Sequence, residues 1–97
     1  MLIVRPEAEE DLGAAYEWYE DQRAGLGLAF LGEADSALSR IEDRPHGHPK
    51  VLGAVRRAFL RRFPYSVYYL VADQRLVVLA VLHHRRSPAE WRRRLGE

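Results

Sequence analysis

The chain has 97 residues and a mass of 11.2 kDa, with hydrophobic residues at 47% and charged residues at 30%, a balance that fits one globular domain over residues 1–97 and excludes disordered or low-complexity classes. No cysteine is present, which excludes a disulfide framework and thiolate chemistry and fits a reducing, cytoplasmic setting. The longest apolar run, Leu76 to Leu82, has seven residues where a membrane span needs about 20, and Met1 to Pro6 lack a secretory pattern, so no membrane partner is expected.

Leu2-Ile3-Val4 is a short β-prone run stopped by Pro6 and reads as a first strand. Pro6 suits the first turn of a helix, where Glu7, Glu9, Glu10 and Asp11 sit at the positive end of the dipole. Ala8, Leu12, Ala15, Tyr16 and Tyr19 then recur on one helical face, and the helix is expected to stop near Arg23 with Gly25 in a left-handed cap. Gly27, Leu31, Ala34, Leu38 and Ile41 mark a second helix that Pro45 closes, and the short connection makes the pair an antiparallel hairpin. His46-Gly47-His48-Pro49 is a loop.

The period then changes. Val55 to Phe63 is predicted as one strand, with Val55, Phe59 and Phe63 on one side. Pro64 breaks it, and Tyr65 to Val71 forms a strand rich in aromatic and β-branched residues. A tight turn at Ala72-Asp73-Gln74 leads into Arg75–His83, apolar on both faces through Leu82 as a covered central strand would be. Ser87-Pro88-Ala89-Glu90 opens a short helix through Leu95. The predicted fold is α+β, β-α-α-β-β-β-(α), with the helical hairpin on a mainly antiparallel four-stranded sheet.

Charge divides along the chain. Residues 1–48 carry four arginines against eleven acids, and residues 49–97 carry eleven basic residues against three acids, or −7 and +8. The basic half suits an anionic partner, whether nucleic acid or an acidic protein segment; the alternative is that the halves neutralise each other within the fold. Its arginines come in pairs. Arg56 and Arg62 share one parity, while Arg57 and Arg61 share the side of Val55, Phe59 and Phe63, so one face presents a row of guanidinium groups able to bind phosphates or carboxylates. The partner-binding candidates are Arg56, Arg61, Arg62, Tyr65, Tyr68, Arg85, Arg86, Trp91 and Arg92. Protection of a strand edge explains the same arginines, and core packing the same tyrosines.

A histidine beside arginines at His83-His84-Arg85-Arg86 suits acid–base work on a phosphodiester; a strand-end hydrogen bond is the alternative. His83 and His84 point to opposite faces, and His46 and His48 lie in a loop without zinc-ligand spacing, so neither metal nor cofactor is expected. Gly25-Leu26-Gly27 joins two helices and is no phosphate loop.

Ala15-Tyr16-Glu17-Trp18-Tyr19-Glu20-Asp21-Gln22-Arg23-Ala24-Gly25-Leu26-Gly27 with Phe30-Leu31 resembles the helical hairpin of ParE toxins, in the RelE/ParE superfamily of toxin–antitoxin systems. Val55-Arg56-Arg57, Arg61 to Tyr69, and Val78 to Pro88 with Trp91 are similar to that family's later strands and tail. The resemblance implies a bacterial type II toxin of growth inhibition and plasmid stabilisation, neutralised by a ParD-like antitoxin whose C-terminal segment wraps it. ParE members poison DNA gyrase without a bond-making step of their own, whereas RelE members cleave messenger RNA on the ribosome with strand-borne basic residues and a C-terminal tyrosine or histidine. Arg57, Arg62 and Arg85 match the basic part and His84 the acid–base part. No tyrosine follows Arg86, and that departure favours the gyrase inhibitor, with the ribonuclease or a binding-only member as alternatives.

Overall fold

The chain runs β1 (Leu2–Val4), α1 (Pro6–Gln22), α2 (Leu26–Asp43), β2 (Lys50–Leu52), β3 (Val55–Phe59), β4 (Tyr65–Ala72), β5 (Arg75–His83) and α3 (Pro88–Gly96) in a computed structural model that describes residues 1–96. The strands form one sheet in the order β1-β5-β4-β3-β2, with β1 parallel to β5 and the other neighbours antiparallel. The α+β class and the hairpin are as predicted; the sheet gains a fifth strand and a parallel pair. β2 escapes a sequence pattern because it has three residues, an exposed Lys50 and an irregular register against β3.

Short local signals set the hairpin. Pro6 opens α1 with Glu7 and Glu9 in its first turn, where a missing N–H costs nothing. Gly25 takes a φ of 89° at the bend, the left-handed region that glycine enters freely. Glu20 caps α2 from α1: its Oε2 accepts the Gly25 N–H and its Oε1 the Gly27 N–H, both at 2.9 Å. Gly27 is buried where the helices meet, and a Cβ there would stand 2.7 Å from the Tyr16 carbonyl oxygen.

One face of the sheet takes the hairpin. Phe30, Ala34 and Ile41 of α2 pack with Ala8 and Ala15 of α1 over Val67, Tyr69, Val78 and Val81. The other face takes α3, whose Trp91 ring lies 5.5 Å from Tyr68 in a cluster with Val55, Leu79 and Leu82. A bulge lets β5 serve both. Tyr68 pairs with Ala80 and Tyr69 with Val78, so Leu79 is an extra residue, and Leu79 and Ala80 both join the α3 side. The central strand is therefore apolar throughout, as its sequence implied.

The predicted strand from Val55 to Phe63 is shorter in the structure, ending at Phe59. The Leu60 N–H donates to the Tyr65 carbonyl at 2.9 Å and Arg62 adopts a φ of 70°, which turns the chain and resets its alternation. Val55 and Phe59 share the face away from the hairpin. Phe63 instead returns to the hairpin core, 4.9 Å from Tyr19 and 5.4 Å from Phe30. The arginine row drawn across residues 56–62 is broken at this turn.

Candidate functional site

β1 is too short to cover β5. It pairs only with Leu76, Val77 and Val78, and beyond them the edge of β5 faces α1 across a cleft of about 680 Å³. Ala14, Ala15 and Trp18 of α1 form one wall and Val81 to His83 the other. The Val81 N–H, with no strand beside it, donates to Asp11 Oδ2 at 2.9 Å. The same carboxylate accepts Nη2 of Arg94 on Oδ2 at 2.9 Å and Nη1 on Oδ1 at 3.1 Å. Asp11 thus joins α1, β5 and α3 with its charge neutralised, and Arg85 and Arg86 set the sign of the cleft's rim.

The end of the cleft is aromatic. Tyr19 stands edge-on to Tyr65 at 6.1 Å and to Trp18 at 5.1 Å, and Trp18 is 58% exposed. A large bare ring beside an unpaired strand edge makes the cleft the candidate binding surface. His83 lies 5.0 Å from the Tyr65 ring, and its Nδ1 accepts the Arg85 N–H at 2.9 Å. Burial first, then the charges of Arg85 and His84, hold the His83 pKa below its ordinary 6.5. The unfolded chain therefore takes up a proton that the folded chain resists, and stability falls as pH drops from 6.5 toward the folded value. Melting curves taken between about pH 7 and pH 5 should show a steeper loss for the native chain than for His83→Asn, which keeps an acceptor for Arg85. Parallel losses would remove His83 from the account.

The arginines divide between the two faces. Arg56 holds the loop after α2, its Nη1 donating to the carbonyls of His46 at 3.1 Å and His48 at 2.6 Å. Tyr69 donates its hydroxyl to the Pro45 carbonyl of the same loop at 2.7 Å. Arg57 lies on the opposite face with its guanidinium 4.9 Å from the centre of the Phe59 ring. Arg61 and Arg62 are exposed between β3 and β4, Arg62 over Phe63 at 5.5 Å. Arg85, Arg86 and Tyr65 line the cleft. Tyr68 and Trp91 are buried against each other, and exposed Arg92 lies 5.5 Å over the Trp91 ring. Of the four residues assigned to RNA cleavage, Arg57 and His84 meet across Phe59, whose ring is 5.1 Å from His84. Arg62 and Arg85 lie on the hairpin side, against Phe63 and in the cleft. Among the described residues no three His, Asp or Glu side chains form a metal-holding group.

Residues 2–88 match the family model described as ParE toxin of type II toxin-antitoxin system, parDE. The chain belongs to the ParE toxin family. Toxin ParE2 of Mycobacterium tuberculosis, in strains CDC 1551 / Oshkosh and ATCC 25618 / H37Rv, is 28% identical to it over 88 residues, 90% of this chain and 84% of the relative. A solved chain described as the chromosomal ParDE TA system from P. aeruginosa shares the fold, with a TM-score of 0.76 and 21% identity over 84% of this chain and 92% of that one. Asp11 and Trp18 in the cleft, and exposed Phe59 on the α3 side of the sheet, stand outside the candidate site residues that the sequence of this ParE-family chain suggested. Asp11 reads as one more acid near a helix start. Trp18 carried a usable signal, because it falls outside the apolar stripe of its helix and so had to face solvent or a partner.

Proposed function

We propose that this toxin is held inactive by a cognate ParD-like antitoxin and, once released in the cytoplasm, inhibits DNA gyrase without making or breaking a covalent bond itself. The observation that carries the reading is the ParE family match over residues 2–88. The P. aeruginosa neighbour is by its own description a ParDE TA system, which supports a protein partner for this chain as well. The cleft fits such a partner, since apolar walls, an unpaired strand edge and a rim of Arg85 and Arg86 suit an amphipathic, acidic segment. Gyrase as target rests on the family resemblance. The separation of Arg57 and His84 from Arg62 and Arg85 favours this reading over RNA cleavage, which needs its cations and its acid–base group around one phosphate.

The test is inducible expression in bacteria without antitoxin, with pulse-labelling of DNA and protein synthesis over the first minutes. DNA synthesis is expected to fail first, with a DNA-damage response. Protein synthesis failing first would transfer the activity to the ribosome and make Arg57, Arg62, His84 and Arg85 the residues to substitute. Normal growth with soluble, folded protein would leave a binding-only member of the family.

A further inference from the structure

We infer that the sheet face opposite the cleft carries a site for single-stranded nucleic acid, in which a base stacks on Phe59 and a neighbouring phosphate meets Arg57. Phe59 is 52% exposed although β3 lies inside the sheet, because α3 packs Trp91 onto Tyr68 and leaves the Phe59 ring bare. Its backbone is held from the hairpin side, where Arg40 of α2 donates to the Phe59 carbonyl at 2.8 Å. The ring is thus presented on a fixed strand. Arg57 lies 4.9 Å from the ring centre, and its buried Nε has no hydrogen-bond partner among the described residues. His84 stands edge-on to the ring at 5.1 Å, with its Nε2 2.9 Å from the Oγ of fully buried Ser66.

The strands of this face are basic, and Glu90 of α3, packed on the same face, accepts the Ser87 N–H on its Oε1 at 3.2 Å. Between Arg44 and Ala89 the sole acid is Asp73, at the β4–β5 turn, the end of that hairpin away from Phe59. An acidic protein segment would answer the charge but not the bare ring beside a guanidinium plane. A nucleic-acid base and its phosphate answer both, and stacking tolerates any base sequence.

Fluorescence anisotropy of the purified full chain tests it, with a fluorescein-labelled single-stranded DNA of about 12 nucleotides and its duplex as probes. The single strand is expected to bind more tightly than the duplex. Phe59→Ala, at an exposed position that should leave the melting temperature unchanged, is expected to raise the dissociation constant by about 5-fold or more, and Phe59→Trp to restore it. Arg57→Gln should flatten the logarithmic salt dependence by about 0.7, the share of one phosphate on a single strand. Arg75→Gln, beside the distant turn, controls for charge alone and should do less. No binding of the single strand, an unaltered constant in Phe59→Ala, or an equal loss in Arg75→Gln would overturn the proposal. Tighter binding of a glutamate-rich peptide that ignores Phe59→Ala would overturn it too, and would assign the face to a protein.

Discussion

Asp11→Ala is expected to cost about 2–4 kcal/mol of stability. The side chain is only 12% exposed, and it accepts three hydrogen bonds from groups 70 and 83 residues away. Its removal leaves the Val81 N–H without an acceptor and the half-buried Arg94 guanidinium without its counter-charge. Each is an unmet desolvation cost and not merely a lost contact. For a domain of this size the loss corresponds to a melting temperature lower by about 10–25 °C, which circular dichroism would read directly. Asp11→Asn keeps one acceptor oxygen and should lose roughly half as much. Arg94→Ala should lose less again, because Asp11 keeps the Val81 N–H and water can reach its free oxygen. A cost for Asp11→Ala below about 0.5 kcal/mol, the level of an ordinary surface change, would show that α3 is not anchored through this carboxylate.

That anchor illustrates where sequence reading succeeds and stops. Local signals carried most of the fold. The proline and acids at the head of α1, the spaced apolar residues of both helices and the two-sided apolar run of β5 each act within a few turns of chain, so they can be read in order. The five-stranded sheet was harder, since β2 is three residues long and its pairing with β3 is decided by the turn at Gly53, not by alternation. The end of β3 depended on Arg62, a non-glycine residue at φ 70°, and no residue type announces that conformation. One such residue was enough to move Phe63 to the other face and to divide a row of arginines that parity had placed together.

The site was legible only in part for the same reason. Composition and charge pointed to the basic half, and Arg85, Arg86 and Tyr65 do line the cleft. What sequence could not supply was the opposite wall. Trp18 and Asp11 come from the acidic half, and they meet β5 only because β1 stops after three residues and lets α1 take the place of a neighbouring strand. Arg56 shows the reverse case. It reads as a free cation on a strand, yet its guanidinium is engaged by two loop carbonyls.

These placements make two docking surfaces experimentally separable, and the second large effect is expected at Trp18. With the antitoxin seated in the cleft, Trp18→Ala should weaken the complex by about 2–4 kcal/mol, a rise in dissociation constant of about 30- to 1,000-fold. A tryptophan that is 58% exposed in the free chain loses that exposure only when a partner covers it, so its truncation should leave the melting temperature nearly unchanged. Arg85→Glu and Arg86→Glu, at the rim, should slow association and reduce its salt dependence while changing dissociation less. Charge reversal at Arg56 is a poorer probe, because any loss of binding would come with a loosened loop and a lower melting temperature. Arg62→Glu is the better test of the broken arginine row, since Arg62 is exposed and its guanidinium lies over the Phe63 ring. Titration calorimetry of the cognate antitoxin against the Trp18 and Arg62 variants therefore decides between the surfaces. A full loss at Trp18 with little change at Arg62 places the antitoxin in the cleft; the opposite pair of results moves it to the loop between β3 and β4.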